Sequence, residues 1–248
     1  MDFGYPWWLS YGHLIVFVPA VAALFLGYRR KWSRWAMLLT TALVLWSGSA
    51  FLITRFLFNA NATPSLPTQS FLRNGKGRVL DIGAGTGRSS IMVLQSRPEA
   101  TLVALDLFGE SFEHHFGPSE SPQQRLLTNL KVAGVEQRAS IETADMRKLP
   151  FDSGAFDAIV SAYAIDHLNR DGINQALTEA ARVIKPGGDF LLMLVANDPW
   201  AKFAFGPVLA HGDLRGAGWW AARLKEAGFQ VSEEGTRPLT LYFLASRF

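Results

Sequence analysis

The segment Arg78–Ser90 reads RVLDIGAGTGRSS, and it decides the fold of this 248-residue chain. A short run of strand-forming residues ends in Asp81, and a helical pattern begins at Arg88. Between them stand three glycines at alternate positions, Gly83, Gly85 and Gly87. Because glycine has no Cβ, such a turn permits a sharp reversal and lets the backbone approach a ligand beside the free N–H groups of a helix start. The segment therefore predicts a strand, a ligand-binding turn and a helix.

Two common nucleotide-binding patterns do not fit this turn. A dinucleotide fingerprint, G-x-G-x-x-G, needs its third glycine at the position of Arg88, whereas Gly87 lies one residue earlier. A P-loop ends in Gly-Lys followed by Ser or Thr, and no such sequence closes the turn. Neither of those two sites is predicted.

The rest of the C-terminal part alternates short apolar runs with helical patterns, which favours βαβ units. We predict strands at Arg78–Ile82, Leu102–Asp106, Ser140–Thr143, Ala158–Ala162, Phe190–Val195, Phe229–Glu233 and Leu239–Ser246. We predict helices at Arg88–Ser96, Pro122–Ala133, Arg170–Ile184 and Trp219–Ala227. The expected fold is a Rossmann-like α/β fold, with a mostly parallel sheet of seven strands and helices on both faces.

The pattern D-x-G-x-G-x-G at Asp81–Gly87 resembles the first motif of class I S-adenosylmethionine-dependent methyltransferases. Four later segments continue the resemblance in order: LVALDLF, ETADMRKLPF, FDAIVSAYAIDHL and ARVIKPGGDFLLM. Together they are similar to the branch that contains ubiquinone and menaquinone C-methyltransferases, over residues 76–196. The resemblance implies S-adenosyl-L-methionine as the cofactor, bound at the glycine-rich turn and Asp81.

The resemblance also assigns further cofactor contacts. It implies that Asp106, at the end of the second strand, holds the ribose hydroxyls, and two carboxylate oxygens suit the two O–H donors of a vicinal diol. It implies that Asp145 contacts the adenine amino group and that Met146 lies beside the ring. The other expected contacts are Leu107, next to the ribose acid, and Ser161, facing the methionine part of the cofactor.

Methyl transfer from a sulfonium is an in-line displacement, so the protein contributes chiefly by positioning the acceptor. For an acceptor that must lose a proton, the candidate bases at the end of the fourth strand are Tyr163, Asp166 and His167. Relatives often carry a structural histidine in this motif, so the role of His167 stays open. A cofactor-binding scaffold without catalysis also stays open, because the motifs report binding and not turnover.

Two segments depart from the family pattern. Residues 108–124, FGESFEHHFGPSESPQQ, are predicted to form a lid or substrate loop. Its adjacent His114 and His115 would point apart on a helix or strand, so no metal site is predicted. In the second segment, Asn197–Gly218, three aromatic residues either wall an apolar substrate pocket or simply pack: Trp200, Phe203 and Phe205.

The first 58 residues predict a membrane hairpin. Leu9–Tyr28 contains no Asp, Glu, Lys or Arg, and about 20 helical residues match a bilayer core. Ala36–Phe58 is similarly apolar and contains one charge, Arg55. Tryptophans stand where interfacial belts are expected, at Trp7, Trp8, Trp32 and Trp35. We therefore expect a hairpin at 1–58, a proline-containing linker at 59–70 and a methyltransferase domain at 71–248.

Two other interpretations of these helices fit the sequence less well. A cleaved signal peptide would need a basic start and an A-x-A-like site, and neither is present. Helices buried in a soluble domain normally keep a polar face, which these runs lack. The acceptor is therefore expected to be a lipid or another hydrophobic molecule such as a quinone, although an anchor that only localises an enzyme for a soluble metabolite stays open.

Charge and composition narrow the partners further. Five of the 24 Lys and Arg residues and one of the 21 acids lie in residues 1–70, which leaves a net charge of −1 for the rest. No basic footprint for nucleic acid remains. The chain has no cysteine, so thiol chemistry is excluded. The basic loop Arg29–Arg34 opposes a cytoplasmic catalytic domain by the positive-inside rule, but cofactor supply favours it. Full crossing of the bilayer and the oligomeric state stay open.

Overall fold

The computed structural model describes residues 1–59, 61–108, 122–206 and 215–248, which form two compact units. The sheet unit combines Met1–Gly4 with the described parts of Thr63–Ala196 and of the C-terminal segment. The hairpin unit combines the described part of Tyr5–Ala62 with the segment that begins at Asn197. Contacts thus divide the chain differently from the predicted boundary near Ser70: a piece assigned to the catalytic domain belongs with the hairpin, and the first four residues belong with the sheet.

The sheet unit is built on seven strands. They are β1 (Lys76–Ile82), β2 (Glu99–Asp106), β3 (Ala139–Thr143), β4 (Phe156–Ala162), β5 (Ile184–Val195), β6 (Phe229–Arg237) and β7 (Thr240–Arg247). Their order is β3-β2-β1-β4-β5-β7-β6, with β1 to β5 parallel and β7 antiparallel to both of its neighbours. The predicted mostly parallel, seven-stranded, Rossmann-like sheet is confirmed.

The helices of this unit follow the predicted pattern closely. They span Arg88–Ser96, Pro122–Val132, Arg170–Val183 and Ala217–Glu226. Asn169 caps the third of them, because its side chain accepts a hydrogen bond from the Gly172 N–H at 2.8 Å. Strand β4 is almost continuously buried, as expected for a central strand covered on both faces. The largest side chains in the core are fully buried phenylalanines, Phe156, Phe190, Phe229 and Phe243.

The Pro-Gly-Gly sequence after the third of these helices, predicted to be a turn, is part of β5. Phe156 pairs with Ile184 and Ala158 pairs with Asp189, so the intervening residues of β5 form an irregularity in the ladder. Gly187 there has φ +74°. Proline cannot donate a ladder hydrogen bond, and it is tolerated in a strand at such a bulge.

The hairpin unit contains both predicted apolar helices. Its elements are Trp8–Tyr11, His13–Arg29, Arg34–Leu52, a π-helical turn at Ile53–Phe58, and a short helix at Pro199–Phe205. The runs Trp8–Arg29 and Arg34–Phe58 hold 22 and 25 residues and are long and apolar enough to cross a membrane. Only 11% of the most apolar window of each run is buried, in contrast to the mostly buried core helix of a soluble protein.

Small residues let the two long helices approach each other. A Cβ added to Gly48 would lie 3.0 Å from the Phe17 ring, and one added to Gly27 would lie 3.0 Å from the Met37 sulfur. Such glycine positions are typical of closely packed helix pairs in membranes.

The short helix Pro199–Phe205 has no counterpart in the sequence prediction. The Phe205 ring stacks on Phe58, with ring centroids 6.3 Å apart, and also contacts His13. The sequence left two interpretations of this aromatic segment, and for Phe205 the structure shows packing, against residues of the hairpin. The local sequence could not show this, because the two contacts join residues 147 and 192 positions apart.

Candidate functional site

The carboxyl ends of the central parallel strands meet at one edge of the sheet. Ile82 pairs with Leu105, and Asp106 pairs with Thr143, so β1, β2 and β3 end side by side. On its other side β1 pairs with β4, and this reversal of strand order creates the crevice in which open α/β sheets bind ligands.

The glycine-rich turn is fastened to this edge by backbone hydrogen bonds. The N–H groups of Gly83 and Ala84 donate to the Leu105 carbonyl at 2.8 and 3.0 Å. The Gly87 N–H donates to the Ala84 carbonyl at 2.8 Å. The turn therefore has a fixed course between the end of β1 and the helix Arg88–Ser96.

Side chains are excluded from the turn by both space and backbone conformation. Gly83, Gly85 and Gly87 have φ values of +76°, +54° and +90°. A Cβ on Gly83 would lie 2.2 Å from the Ala164 Cβ, and one on Gly87 would lie 2.4 Å from Leu126. These glycines are required by close packing as well as by approach to a ligand.

Asp106 lies against the turn, as predicted. Its Oδ2 accepts a hydrogen bond from the Gly85 N–H at 2.9 Å, and its Oδ1 accepts one from the Phe108 N–H at 3.2 Å. A carboxylate offers about four acceptor positions, so two remain for a diol. Leu107, the next residue, is 53% exposed. This arrangement suits the ribose contact that the resemblance implies.

Asp81 is fully buried under the turn. Its Oδ2 accepts hydrogen bonds from the hydroxyls of Ser89 and Ser90 at 2.7 and 2.5 Å, which fastens the start of the following helix. Its Oδ1 is buried and has no hydrogen-bond partner. Burial raises the pKa of Asp81 to about 6; repulsion from Asp106 acts in the same direction, and the two serine hydroxyls oppose it. A buried oxygen without a partner suits an N–H or ammonium group of a ligand.

Asp145 is engaged differently from the prediction. Its Oδ1 accepts from the Arg147 backbone N–H at 2.8 Å, and the Arg147 guanidinium donates to both oxygens at 2.6–3.0 Å. Chiefly because of these side-chain hydrogen bonds, the pKa of Asp145 is lowered. Arg147 thereby fills the acceptor positions that an adenine amino group would need. Met146 does lie beside the turn, since its Cε would be 3.5 Å from a Cβ on Gly83.

Ser161 is buried inside the sheet. Its hydroxyl donates to the Ile82 carbonyl at 2.8 Å, which joins β4 to the end of β1. The hydroxyl hydrogen is therefore used within the sheet, whereas the resemblance placed this residue toward the cofactor.

The three candidate bases follow β4 in one turn. Tyr163 has φ +55°, a strained conformation for an aromatic residue, and its hydroxyl hydrogen-bonds Thr240. Asp166 accepts from the Val195 N–H at 3.3 Å through Oδ2, while its Oδ1 is buried without a hydrogen-bond partner. Burial raises the pKa of Asp166, and the charge of His167 opposes this rise. His167 itself is exposed.

An N-terminal strap, Met1–Gly4, is a further part of the site that the sequence did not reveal. Phe3 is fully buried, and its carbonyl accepts a hydrogen bond from the Thr86 hydroxyl at 3.1 Å. The Asn129 amide donates to the carbonyls of Asp2 and Thr86 at 2.8 and 3.0 Å, and its Oδ1 accepts from the Asp2 N–H. The strap thus holds the glycine-rich turn at Thr86.

Part of the sequence prediction falls outside the described residues. This applies to His114, His115 and most of the predicted lid, residues 109–121. Within the four described ranges, no group of three or more His, Asp or Glu side chains is placed to hold a metal ion.

Three features together are typical of the class I methyltransferase fold: the strand order, the glycine-rich turn and the acid at the end of β2. Residues 79–188 match the family described as a methyltransferase domain. The sheet unit therefore has the class I methyltransferase fold, and S-adenosyl-L-methionine is the cofactor that this match implies.

Curated relatives add detail. The chain is 34% identical over 126 residues to the ubiquinone/menaquinone biosynthesis C-methyltransferase of Bartonella tribocorum, covering 50% of this chain and 44% of that protein. It is 29% identical over 137 residues to the demethylmenaquinone methyltransferase of Deinococcus radiodurans, covering 55% and 50%. The chain spans about half the length of the curated relatives it matches.

A solved structure has a fold similar to that of this chain. An O-methyltransferase family protein from Burkholderia thailandensis superposes with a TM-score of 0.57, covering 97% of this chain and 69% of that one, at 16% identity. At this identity the likeness shows the fold alone.

The residues of the site fit S-adenosyl-L-methionine. Asp106, bonded to the glycine-rich turn at Gly85, has acceptor positions for the ribose, and the partnerless oxygen of Asp81 suits the ammonium group of the methionine part. Asp145 fits poorly while Arg147 holds it.

Proposed function

We propose that this chain is a membrane-anchored, S-adenosylmethionine-dependent methyltransferase whose acceptor is a hydrophobic, quinone-like molecule of the bilayer. One observation carries the proposal: the same chain combines a methyltransferase domain with two apolar helices whose large side chains are exposed. The relatives named for ubiquinone and menaquinone support a quinone-like acceptor.

In this proposal the bound cofactor supplies an electrophilic methyl group, and the protein positions the cofactor and the acceptor. Asp106 and the glycine-rich turn orient the cofactor. The turn after β4 lies directly beside it, because Ala164 packs against Gly83. For an acceptor that must lose a proton, Asp166 and His167 are the groups that take it, since the raised pKa of Asp166 brings it closer to neutral pH.

The spacing of aromatic residues supports a hairpin that fully crosses the bilayer. Trp35 and Phe56 are both exposed and lie 21 residues apart on the second apolar run. At helical rise this separation is about 30 Å, the thickness of a hydrocarbon core. Aromatic side chains would then occupy both interfaces.

The catalytic domain is proposed to face the cytoplasm, where its cofactor is made. The positive charge of the loop Arg29–Arg34 favours the opposite orientation, because the positive-inside rule places basic loops in the cytoplasm. A peptide tag in this loop should be cleaved by protease added to intact cells, while a tag after Phe248 should be protected until the cells are lysed. Cleavage of the Phe248 tag in intact cells would contradict the orientation, and protection of both tags would show a hairpin that does not cross.

The activity is tested by methyl transfer from isotope-labelled S-adenosyl-L-methionine. Native membranes containing the full-length protein are incubated with it, and label is counted in the lipid extract and in the soluble metabolites. We expect label in the lipid extract, and less by about tenfold or more with Asp106→Ala at a cofactor concentration below its dissociation constant. Label in soluble metabolites alone would mean that the hairpin only localises the enzyme. Cofactor binding without transfer into either fraction would favour a non-catalytic scaffold.

A further inference from the structure

We propose that the helix Pro199–Phe205 is a third membrane-embedded element, which enters the bilayer with the hairpin. The inference rests on the anchor proposed above and extends it to a segment that follows β5 of the methyltransferase domain. Only three residues, Ala196–Asp198, separate this helix from the end of β5.

The amino end of this helix is satisfied by its own cap. Asp198 Oδ1 accepts hydrogen bonds from the N–H groups of Trp200 and Ala201 at 2.7 and 3.2 Å. Pro199 occupies the first helical turn, where a missing N–H leaves no donor unpaired. The helix therefore needs little water at this end.

The carboxyl end is satisfied by side chains of the hairpin. The Trp46 indole N–H donates to the Phe203 carbonyl at 2.9 Å, and His13 Nε2 hydrogen-bonds the Ala204 carbonyl at 2.7 Å. The Gly206 N–H closes the helix on the Lys202 carbonyl. Helix-end carbonyls at a protein surface are commonly left to water, whereas in hydrocarbon every one must find a protein partner. In this helix, three of the last four carbonyls, those of Lys202, Phe203 and Ala204, have such partners.

Its surface has the composition of a lipid contact. Ala201 and Ala204 are buried, and their small size allows close approach of this helix to Arg34–Leu52, which it contacts. The large residues on the outside are Trp200, 58% exposed, and Phe203, 42% exposed. These continue the exposed apolar surface of the hairpin.

Charge favours an anionic bilayer as the partner. The described residues of the hairpin unit carry six basic side chains, Arg29, Arg30, Lys31, Arg34, Arg55 and Lys202, and one acid, Asp198. That acid is used as the helix cap.

The bond to Trp46 sets the depth of the helix. Trp46 lies 11 residues from Trp35 and 10 from Phe56, so the Phe203 carbonyl is held about half-way along the second apolar run. At helical rise this is roughly 15 Å from either aromatic residue. The carboxyl end of Pro199–Phe205 is therefore placed in the hydrocarbon and not at its edge.

Site-specific labelling tests the inference cleanly, because the chain has no cysteine of its own. An environment-sensitive fluorophore is attached to Phe203→Cys in the full-length protein, reconstituted into phosphatidylcholine vesicles with 30% phosphatidylglycerol. Nitroxide on the lipid acyl chains and iodide in the buffer serve as quenchers. The matched positions are Leu39→Cys in the hairpin and Glu226→Cys in the sheet unit, both exposed in the structure.

We expect the Phe203 label to behave like the Leu39 label, quenched by the lipid nitroxide and several-fold less accessible to iodide than the Glu226 label. Because the Phe203 carbonyl makes the hydrogen bond, the cysteine leaves that bond in place; a label at Trp200→Cys provides a second reading. Trp46→Phe, which removes the indole donor, should raise iodide access at position 203.

The outcomes separate this inference from the anchor on which it rests. A Leu39 label in lipid together with labels at 200 and 203 in water would overturn the third element and leave the anchor intact. A Leu39 label in water would overturn both. Labels in lipid at all three positions would support both.

Discussion

The two units place their apolar and polar groups in opposite ways. In the sheet unit the described residues expose only four large apolar side chains, Met1, Leu107, Val132 and Phe248, and the rest of the large exposed set belongs to the hairpin unit. Conversely, the sheet unit buries an ionisable side chain, that of Asp81, whereas the described residues of the hairpin unit bury none. Burial of apolar groups away from water therefore explains the sheet unit, whereas the hairpin unit leaves its apolar groups exposed, as the proposed membrane anchor expects.

The largest effect is expected from an acid on the exposed hairpin surface. Leu45→Asp should weaken membrane retention by about 100-fold, because Leu45 is an exposed residue near the middle of the second apolar run and an acid at the centre of a membrane helix costs about 3 kcal/mol. Retention is measured after carbonate and high-salt washes, which do not release a helix anchored by burial. Val132→Asp, at a similarly exposed apolar residue of the sheet unit, is the control and should leave retention unchanged. Equal effects of both changes would remove the contrast between the units.

The next effect concerns the buried acid of the sheet unit. The pKa of Asp81 is raised in the folded state, so its ionisation destabilises the fold; the penalty develops between pH 3.8 and about 6 and stays constant above. Asp81→Asn should therefore stabilise β1 at pH 8 by up to about 3 kcal/mol, at 1.36 kcal/mol for each pKa unit. Near pH 4 the gain should almost vanish.

The stability of Asp81→Asn relative to the unchanged protein is measured at pH 8 and pH 4 by hydrogen exchange of the β1 amides in the detergent-solubilised, full-length protein. A stabilisation of the same size at both pH values would show that ionisation is not its cause. The same variant should bind S-adenosyl-L-methionine more weakly, because an amide cannot attract an ammonium group as a carboxylate does.

A smaller effect is expected for the ribose acid. Asp106→Ala should weaken binding of S-adenosyl-L-methionine and of its demethylated product by about tenfold or more, since a hydrogen bond to a charged group contributes roughly 1.5–3 kcal/mol. Calorimetric titration provides the affinities. Asp157→Asn removes an acid near the amino end of β4, away from the turn, and should not change them. Unchanged affinity in Asp106→Ala would refute the assignment.

The smallest effect is expected at the N-terminal strap. Asn129→Ala removes both donors that hold Asp2 and Thr86, and it should weaken cofactor binding a few-fold, less than Asp106→Ala, because the turn loses support without losing a ligand contact. Thr128→Ala, on the exposed side of the same helix, is the control. Loss of stability with unaltered cofactor affinity would make the strap purely structural.

Several parts of the site follow from the sequence because their causes are local. The positive φ angles of the turn at Gly83–Gly87 favour glycines by a local cause, and an acid at the end of β2 lies beside the end of β1 in a parallel sheet. Asp145 shows the limit of such reasoning. Its motif predicts an adenine contact, but a guanidinium two residues later, on Arg147, occupies the carboxylate.

By itself, the sequence determined the α/β alternation, the seven strands, the glycine-rich turn and the two long apolar helices, because each of these depends on periodicity or on residues close together in the chain. Only the tertiary structure decided that Met1–Gly4 holds the cofactor turn and that Pro199–Phe205 is bonded to the hairpin. These contacts join residues 43 or more positions apart. They depend on which buried donor meets which carbonyl once the chain has folded, and no local pattern carries that information.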